Sequence, residues 1–263
     1  MNPAPVFSPP RVAANLAHAF GGVWRLTLRR FLQPGHWLTL AIGLGVLALL
    51  SFAPGPRGSG TGHFVGWVGG FHVTFLVPAI AFMAAAGALR DEMKSGAVDY
   101  VLTRPIPRPA FVAFKFLAHT VCLQVEFLLA LAVVFGVGAL RDAPGLAAAL
   151  PSLLLAQGLL VVAFGALGFL CAAITTRYFL IGLAYAGVIE AGVGQIPTQL
   201  SRLSMTHLVR DFLAPLMERS AAPSAGAPGG LFTAAVLIAF SVLVLAAATA
   251  IFSTRELSGP AEA

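Results

Sequence analysis

Residues 146–175 read LAAALPSLLLAQGLLVVAFGALGFLCAAIT, a run of 30 residues without a charged side chain. A helix of about 20 consecutive apolar residues crosses the hydrocarbon core of a bilayer, so this run is long enough to span a membrane. The whole chain agrees with it: 58% of its 263 residues are hydrophobic, 10% are charged and the mean hydropathy is +0.89. Ordinary soluble domains carry about 25% charged residues. The composition therefore excludes such a domain and predicts a protein embedded in a bilayer.

Five further apolar runs accompany this one. The six runs are residues 37–53, 64–89, 110–139, 146–175, 178–196 and 231–252. Each is continuous, whereas a membrane β-barrel would show short segments of alternating apolar and polar residues. We therefore predict an all-α polytopic membrane protein with six transmembrane helices. Its parts would be an N-terminal segment (1–36), a six-helix transmembrane domain (37–253) and a C-terminal tail (254–263).

The basic residues predict the orientation of the chain. With the N-terminus in the cytoplasm, 11 of the 16 Lys and Arg residues fall on the cytoplasmic side. Membrane proteins keep an excess of Lys and Arg on that side. The formal net charge of +6 is scattered between apolar runs and forms no single patch, which argues against a nucleic-acid partner. We expect a multi-pass protein of the inner (plasma) membrane with both termini cytoplasmic.

The segment before the first run has the pattern of an amphipathic helix. One face carries Leu16, Phe20, Val23, Trp24, Thr27 and Phe31, and the opposite face carries His18, Arg25 and Arg29. Pro34 and Gly35 then break the helix before the first run begins. Trp24, Arg25 and Arg29 suit the headgroup layer of a membrane. We expect a helix lying along the membrane surface, either as an anchor alone or as a docking surface for a cytoplasmic partner.

The longest outer connection, residues 197–230, contains a second amphipathic pattern. Its apolar face consists of Met205, Leu208, Val209, Phe212, Leu213 and Leu216. We expect an external helix at a surface before the last span. Glu190, near the outer end of the fifth run, is expected either to lie at the membrane interface or to engage this connection.

Four polar residues of the third run form one stripe. Lys115, His119, Cys122 and Glu126 lie at helical spacing, the last three within about 40° of Lys115 around the helix axis. Polar groups inside a membrane are functional candidates by default. Lys115 lies near the cytoplasmic end and can reach the interface, whereas Glu126 lies near the middle of the run. We expect Glu126 to face the bundle interior, either as an interhelical hydrogen-bonding group or as a lining of the substrate path.

Other residues inside the runs indicate packing. Pro78 is either a tolerated membrane proline or a hinge in the second span. Gly165 and Gly168 are among several glycines that permit two helices to approach closely. Cys122 and Cys171 both lie in apolar runs, which predicts packing and neither a disulfide nor a metal site.

The densest polar segment is the connection between the second and third runs. Residues 90–108 read RDEMKSGAVDYVLTRPIPR, with charges first, then apolar positions at helical spacing, then prolines. A short helix held between two spans can lay its side chains into a groove on a partner protein. The alternative is a solvated loop that carries positive charge for orientation only.

This connection resembles the recurrent loop of ABC-2-type transporter permeases. The resemblance rests on Glu92, Gly96, Val98, Val101, Leu102, Pro105, Arg108 and Lys115. It is most similar to the subgroup linked with multi-copper enzyme maturation. The resemblance implies a permease subunit that pairs with a second permease copy and with cytoplasmic ATPase subunits, which the loop and the N-terminal helix contact. It marks as ATPase-coupling positions Glu92, Gly96, Leu102, Pro105, Arg108 and Lys115.

The sequence also bears on catalysis. It contains no G-x-x-x-x-G-K-[ST] pattern, which a phosphate-binding loop requires, so ATP and Mg²⁺ are expected in a partner ATPase and no cofactor in this chain. We therefore expect a transporter permease, with an exporter as the favoured direction, and no enzyme activity of its own. The alternatives are a non-transporting membrane scaffold or channel and, less favoured, an intramembrane enzyme.

Overall fold

The computed structural model describes residues 16–53, 63–93, 107–190, 192, 204–217 and 230–254. Eight helices and no strand lie within these ranges, which confirms the all-α prediction. We number them α1 (Leu16–Phe31), α2 (Pro34–Leu50), α3 (His63–Glu92), α4 (Arg108–Leu140), α5 (Leu146–Ile174), α6 (Tyr178–Glu190), α7 (Met205–Met217) and α8 (Gly230–Thr254).

Four helices, α3, α4, α5 and α8, are long and apolar enough to cross a membrane. A fifth candidate is the pair of α1 and α2, which together pass the same test but are bent by 59° where they join. The fifth predicted run, 178–196, is matched only by α6, which has 8 α-helical and 5 π-helical residues. At about 1.5 Å per residue α6 is about 20 Å long, short of the roughly 30 Å hydrocarbon core. The described helices thus supply four or five spans, and the predicted six are not confirmed.

The core is built around α5, which packs most extensively against α3 and α8. Its closest approach to α3 is at Gly168, where an added Cβ atom would lie 2.5 Å from the carbonyl oxygen of Phe82. At Gly165 the same atom would lie 3.5 Å from the ring of Phe116, an ordinary contact. The prediction that glycine permits close helix packing is therefore confirmed at Gly168, because no side chain larger than hydrogen fits there without movement.

Helix α3 is irregular on the N-terminal side of Pro78. Residues Val68–Leu76 form a π-helix, and Pro78 stands in the first turn of the α-helical remainder, Val77–Glu92. Proline lacks a backbone N–H and its ring clashes with the carbonyl four residues earlier, so the regular α-helical pattern cannot continue through it. A π-helical turn is one way to absorb that mismatch. The hinge role of Pro78 stays a prediction.

The bent pair of α1 and α2 runs alongside α4 in the same direction. Near the start, the ring of Phe20 packs edge-on against Phe114 with centroids 5.3 Å apart. Near the other end, the Arg141 guanidinium donates to the Ser51 carbonyl oxygen at 3.0 Å. The predicted amphipathic helix is present as α1, with its apolar face turned toward α4. It is thus a packed part of the bundle as well as a surface helix.

Helix α7 is fixed at its first turn by Glu190. The Glu190 carboxylate accepts hydrogen bonds from the Ser204 hydroxyl at 2.6 Å, from the Tyr185 hydroxyl at 2.9 Å, and from the backbone N–H groups of Met205 and Thr206, each at 3.2 Å. The first N–H groups of a helix lack internal partners and carry partial positive charge, so a carboxylate stabilises them. The expectation that Glu190 engages this connection is confirmed.

The apolar face of α7 was expected at a surface, but it packs into the bundle. Met205, Leu208, Val209 and Leu213 are buried, and α7 contacts α5, α8 and the first half of α3. Burial of this apolar stripe against the other helices removes it from both water and lipid, which explains the difference.

Candidate coupling site at the loop end of the bundle

Helix α3 ends at Glu92 and helix α4 begins at Arg108, so one end of the bundle carries both flanks of the family-like loop. We call this end the loop end, and the end at which α4 passes into α5 the far end. Three of the predicted coupling positions, Gly96, Leu102 and Pro105, lie in residues 94–106, outside the described residues. The site is therefore built from the two flanks.

The first and last residues of the loop pattern form an ion pair. The Lys115 ammonium donates to a Glu92 carboxylate oxygen at 2.6 Å, and the Lys115 side chain is almost fully buried. A buried charge is tolerated only with a partner, because the loss of hydration is otherwise uncompensated. Lys115 was expected to reach the interface; it instead turns to Glu92 and fastens α4 to the end of α3.

A second pair joins the N-terminal helix to the same place. The Arg30 guanidinium, at the end of α1, pairs with the carboxylate of Asp91, next to Glu92. Both side chains are partly exposed, at 44% and 34%, so the pair contributes little stability by itself. Its importance is its position, because it connects α1 to α3 directly at the loop.

A third pair involves Glu126, the acidic residue of the predicted stripe. Its carboxylate is bonded to the Nε2 atom of His36, which lies in the first turn of α2. Glu126 is therefore an interhelical hydrogen-bonding group, which was one of the two alternatives predicted from the sequence. The other alternative, that Glu126 lines a substrate path, stays a prediction. Glu126 is also level with the start of α2, whereas its position in the run suggested the middle of the membrane.

We name these three acid–base pairs the loop-end cluster. It consists of Arg30–Asp91, Glu92–Lys115 and His36–Glu126. The pairs join α1 to α3, α3 to α4, and α2 to α4. A displacement of the loop flanks therefore reaches four helices through charged contacts.

The rest of the stripe lies beneath this cluster. His119 is buried, and its ring packs against Phe31 with centroids 5.4 Å apart. Among the described residues the Nε2 atom of His119 has no hydrogen-bond partner. Cys122 is a buried free thiol. Within the described ranges no group of three or more His, Cys, Asp or Glu side chains is arranged to hold a metal ion.

The two arginines flanking the loop contact the ends of other helices. Arg90 donates to the carbonyl oxygen of Ala172 at 3.3 Å, in the last turn of α5. Arg108 donates to the carbonyl oxygen of Ser253 at 3.2 Å, in the last turn of α8. Arg108 was expected to serve coupling by contacting the ATPase; in the structure this guanidinium contacts α8.

The predicted residues of the N-terminal surface helix divide between the two faces of α1. Trp24 is half-buried, with its ring 5.9 Å from that of Phe20. Arg25 and Arg29 are exposed on the opposite face. They are placed to meet headgroups or a partner protein.

Sequence reasoning did not assign a role to His36 or Asp91. The feature of the sequence that could have drawn attention to His36 is its position directly after Pro34 and Gly35, at the entry to the first run. The signal for the depth of Glu126 was the length of the third run, since a helix of 33 residues is about 50 Å long and exceeds the hydrocarbon core. The middle of so long a helix need not be the middle of the membrane.

The fold and this site define the class of the protein: an integral, multi-pass, α-helical membrane protein with two ion pairs at the connection between α3 and α4. A model of the family described as ABC-2 family transporter protein matches residues 14–257, a range that contains all eight helices. The chain belongs to this family. No curated protein matches it at a significant level. The protein is accordingly a permease subunit of an ABC transporter, a kind of subunit that works with an ABC ATPase.

Proposed function

We propose that this permease belongs to an ATP-driven exporter and that a separate cytoplasmic ATPase docks at the loop end. The observation that supports the proposal is the loop-end cluster, because two of its pairs join α1, α3 and α4 beside the end of α3, and the third joins α2 to the middle of α4. An ATPase that moves this segment would thereby move four helices together. Transitions of this kind proceed by rigid-body rotation or sliding of packed helices.

The energy source lies outside the chain in this proposal. The sequence has no phosphate-binding G-x-x-x-x-G-K-[ST] pattern, so the partner ATPase binds ATP and Mg²⁺ and this chain is no enzyme. The chain couples hydrolysis in the partner to movement of a substrate through the membrane.

The assembly we propose contains a second permease copy, identical or related, in the inner (plasma) membrane, with both termini cytoplasmic. The support for this orientation is the 11 of 16 basic residues that then face the cytoplasm. We include a second copy because the family that the loop resembles pairs two permeases. The loop pattern leads us to place the chain in the branch linked with multi-copper enzyme maturation.

Site-specific cross-linking tests the docking position. The chain is co-expressed with its partner ABC ATPase, with Cys122→Ala and Cys171→Ala removing the native thiols. A bifunctional thiol reagent with a photoreactive arm is attached either to Ala97→Cys in the loop or to Asp142→Cys at the far end. We expect the ATPase to be cross-linked from position 97 and not from position 142. Cross-linking from position 142 alone would contradict the proposal.

A further inference from the structure

Each flank of the loop carries an arginine that caps the end of a different helix. Arg90 lies two residues before the end of α3, and Arg108 is the first residue of α4. Their guanidinium groups donate to Ala172 at 3.3 Å and to Ser253 at 3.2 Å, the carbonyl oxygens being in the last turns of α5 and α8. The two bonds thus connect the loop flanks to α5 and α8, two of the four helices that the loop-end cluster leaves out.

Helix ends explain why arginine suits these positions. The last four carbonyl groups of a helix have no internal partner, and the helix dipole gives them partial negative charge. A cationic donor at this place satisfies a carbonyl and interacts favourably with the dipole. Hydrogen bonds with one charged partner are roughly twice as strong as those between neutral groups.

We propose that Arg90 and Arg108 are positioning residues that transmit displacement of the loop to α5 and α8. The proposal rests on the proposed function, since it supposes that an ATPase moves the loop. Helix α5 is the centre of the bundle and packs against both α3 and α8. Packing along α3 couples α5 to the moving helices over its length, and the two caps add a charged contact that holds the last turns of α5 and α8 to the loop flanks.

The far end offers a matched comparison. Arg141 makes the same kind of bond there, donating to the Ser51 carbonyl oxygen at 3.0 Å, and its guanidinium lies 6.0 Å from the centre of the Phe52 ring. It is remote from the loop in the fold. Replacement of Arg141 therefore removes a comparable stabilising contact without touching the proposed transmission.

The experiment uses the complex of permease and ATPase in nanodiscs, with Cys122→Ala and Cys171→Ala as background. Spin labels are placed on Thr176→Cys, just beyond α5, and Thr254→Cys, the last residue of α8; both positions are exposed. Pulsed electron spin resonance measures the distance between labels with and without ATP, Mg²⁺ and vanadate. We expect a shift in the unsubstituted complex, less than half of that shift in Arg90→Gln and Arg108→Gln, and a full shift in Arg141→Gln.

Thermal unfolding of each variant separates transmission from stability. We expect similar losses of Tm for the three glutamine variants, and we expect Arg90→Lys and Arg108→Lys, which keep the positive charge, to recover more than half of the shift. A full shift in both Arg90→Gln and Arg108→Gln, or an equal loss in Arg141→Gln, would overturn the transmission role alone. A complex of the unsubstituted chain that hydrolyses no ATP would instead overturn the proposed function and this inference with it.

Discussion

Lys115 and Glu92 show what a single side chain contributes at the loop end. Lys115 is almost fully buried and has Glu92 as its partner at 2.6 Å. Two buried charges cost hydration, and replacement of both by apolar or neutral residues is often nearly neutral, whereas removal of one partner leaves the other charge uncompensated. The pair therefore fixes how α3 and α4 align along their axes more than it stabilises the fold.

This asymmetry gives a prediction for substitutions of the pair. Glu92→Gln leaves the Lys115 charge buried, and we expect it to lower the free energy of unfolding by about 3 kcal/mol. Lys115→Met combined with Glu92→Gln should recover most of that loss while coupling stays impaired. Thermal unfolding in detergent measures the first effect, and ATP hydrolysis by the reconstituted complex measures the second. A double variant as unstable as Glu92→Gln would show that the pair contributes through something other than its charges.

The sequence predicted which of these residues share one face of a helix, but it did not predict which residue each of them contacts. Helical spacing alone placed Lys115, His119, Cys122 and Glu126 on one stripe, and the structure turns that stripe toward α1, α2 and α3. The identity of each partner depends on how helices align along their axes, and periodicity contains no information on this alignment. His36 thus could not be paired with Glu126 in advance, since the two residues are 90 positions apart.

At the scale of elements, the four longest helices follow from composition because each exceeds the length needed to cross a bilayer. Helix α6 and the bent pair of α1 and α2 are different. Their apolar content predicts burial in membrane or protein, but whether each forms a span also depends on its length and bend, which apolar content does not give. The six-span count therefore stays a prediction.

The contact between α3 and α5 gives the prediction that belongs to this scale. Gly168→Ala would place a methyl group 2.5 Å from the Phe82 carbonyl oxygen, which the backbone of α3 can relieve only by moving away. Overpacking of this kind costs about 1–3 kcal/mol, and we expect a corresponding fall in Tm. Gly165→Ala on the same helix meets only an ordinary contact at 3.5 Å and serves as the control. Equal Tm values for the two variants would contradict the close approach.

At the scale of the whole molecule, the few charged residues show two patterns that agree: their distribution between the two sides of the membrane and the position of their ion pairs. The sequence predicts that most basic residues lie on one side of the membrane, and the structure places two acid–base pairs, Arg30–Asp91 and Glu92–Lys115, at the connection between α3 and α4, on that same predicted side. The first arrangement follows from the rule for insertion of membrane proteins. The second arises because charged side chains far from bulk water need partners.

Labelling from the two sides of the membrane tests this orientation. In the background of Cys122→Ala and Cys171→Ala, we expect Asp142→Cys to react with a maleimide that does not cross the inner membrane. The labelling uses whole cells in which the reagent can reach the outer face of that membrane. Thr176→Cys, at the loop end, should react only in inside-out vesicles. Both positions are exposed, so access to water on the correct side decides the result. The reverse pattern would place the termini outside.

The hydrogen bonds of Glu190 have a consequence for how this chain can change over evolution. They fasten the start of α7 to the end of α6, so the two ends of the connection between these helices are held together by one side chain. When the ends of a connection are already held together, each doubling of its length costs only about 0.6 kcal/mol of closure entropy. Lengthening of this connection is therefore expected to cost little, whereas loss of the one carboxylate would leave the first N–H groups of α7 without their partner.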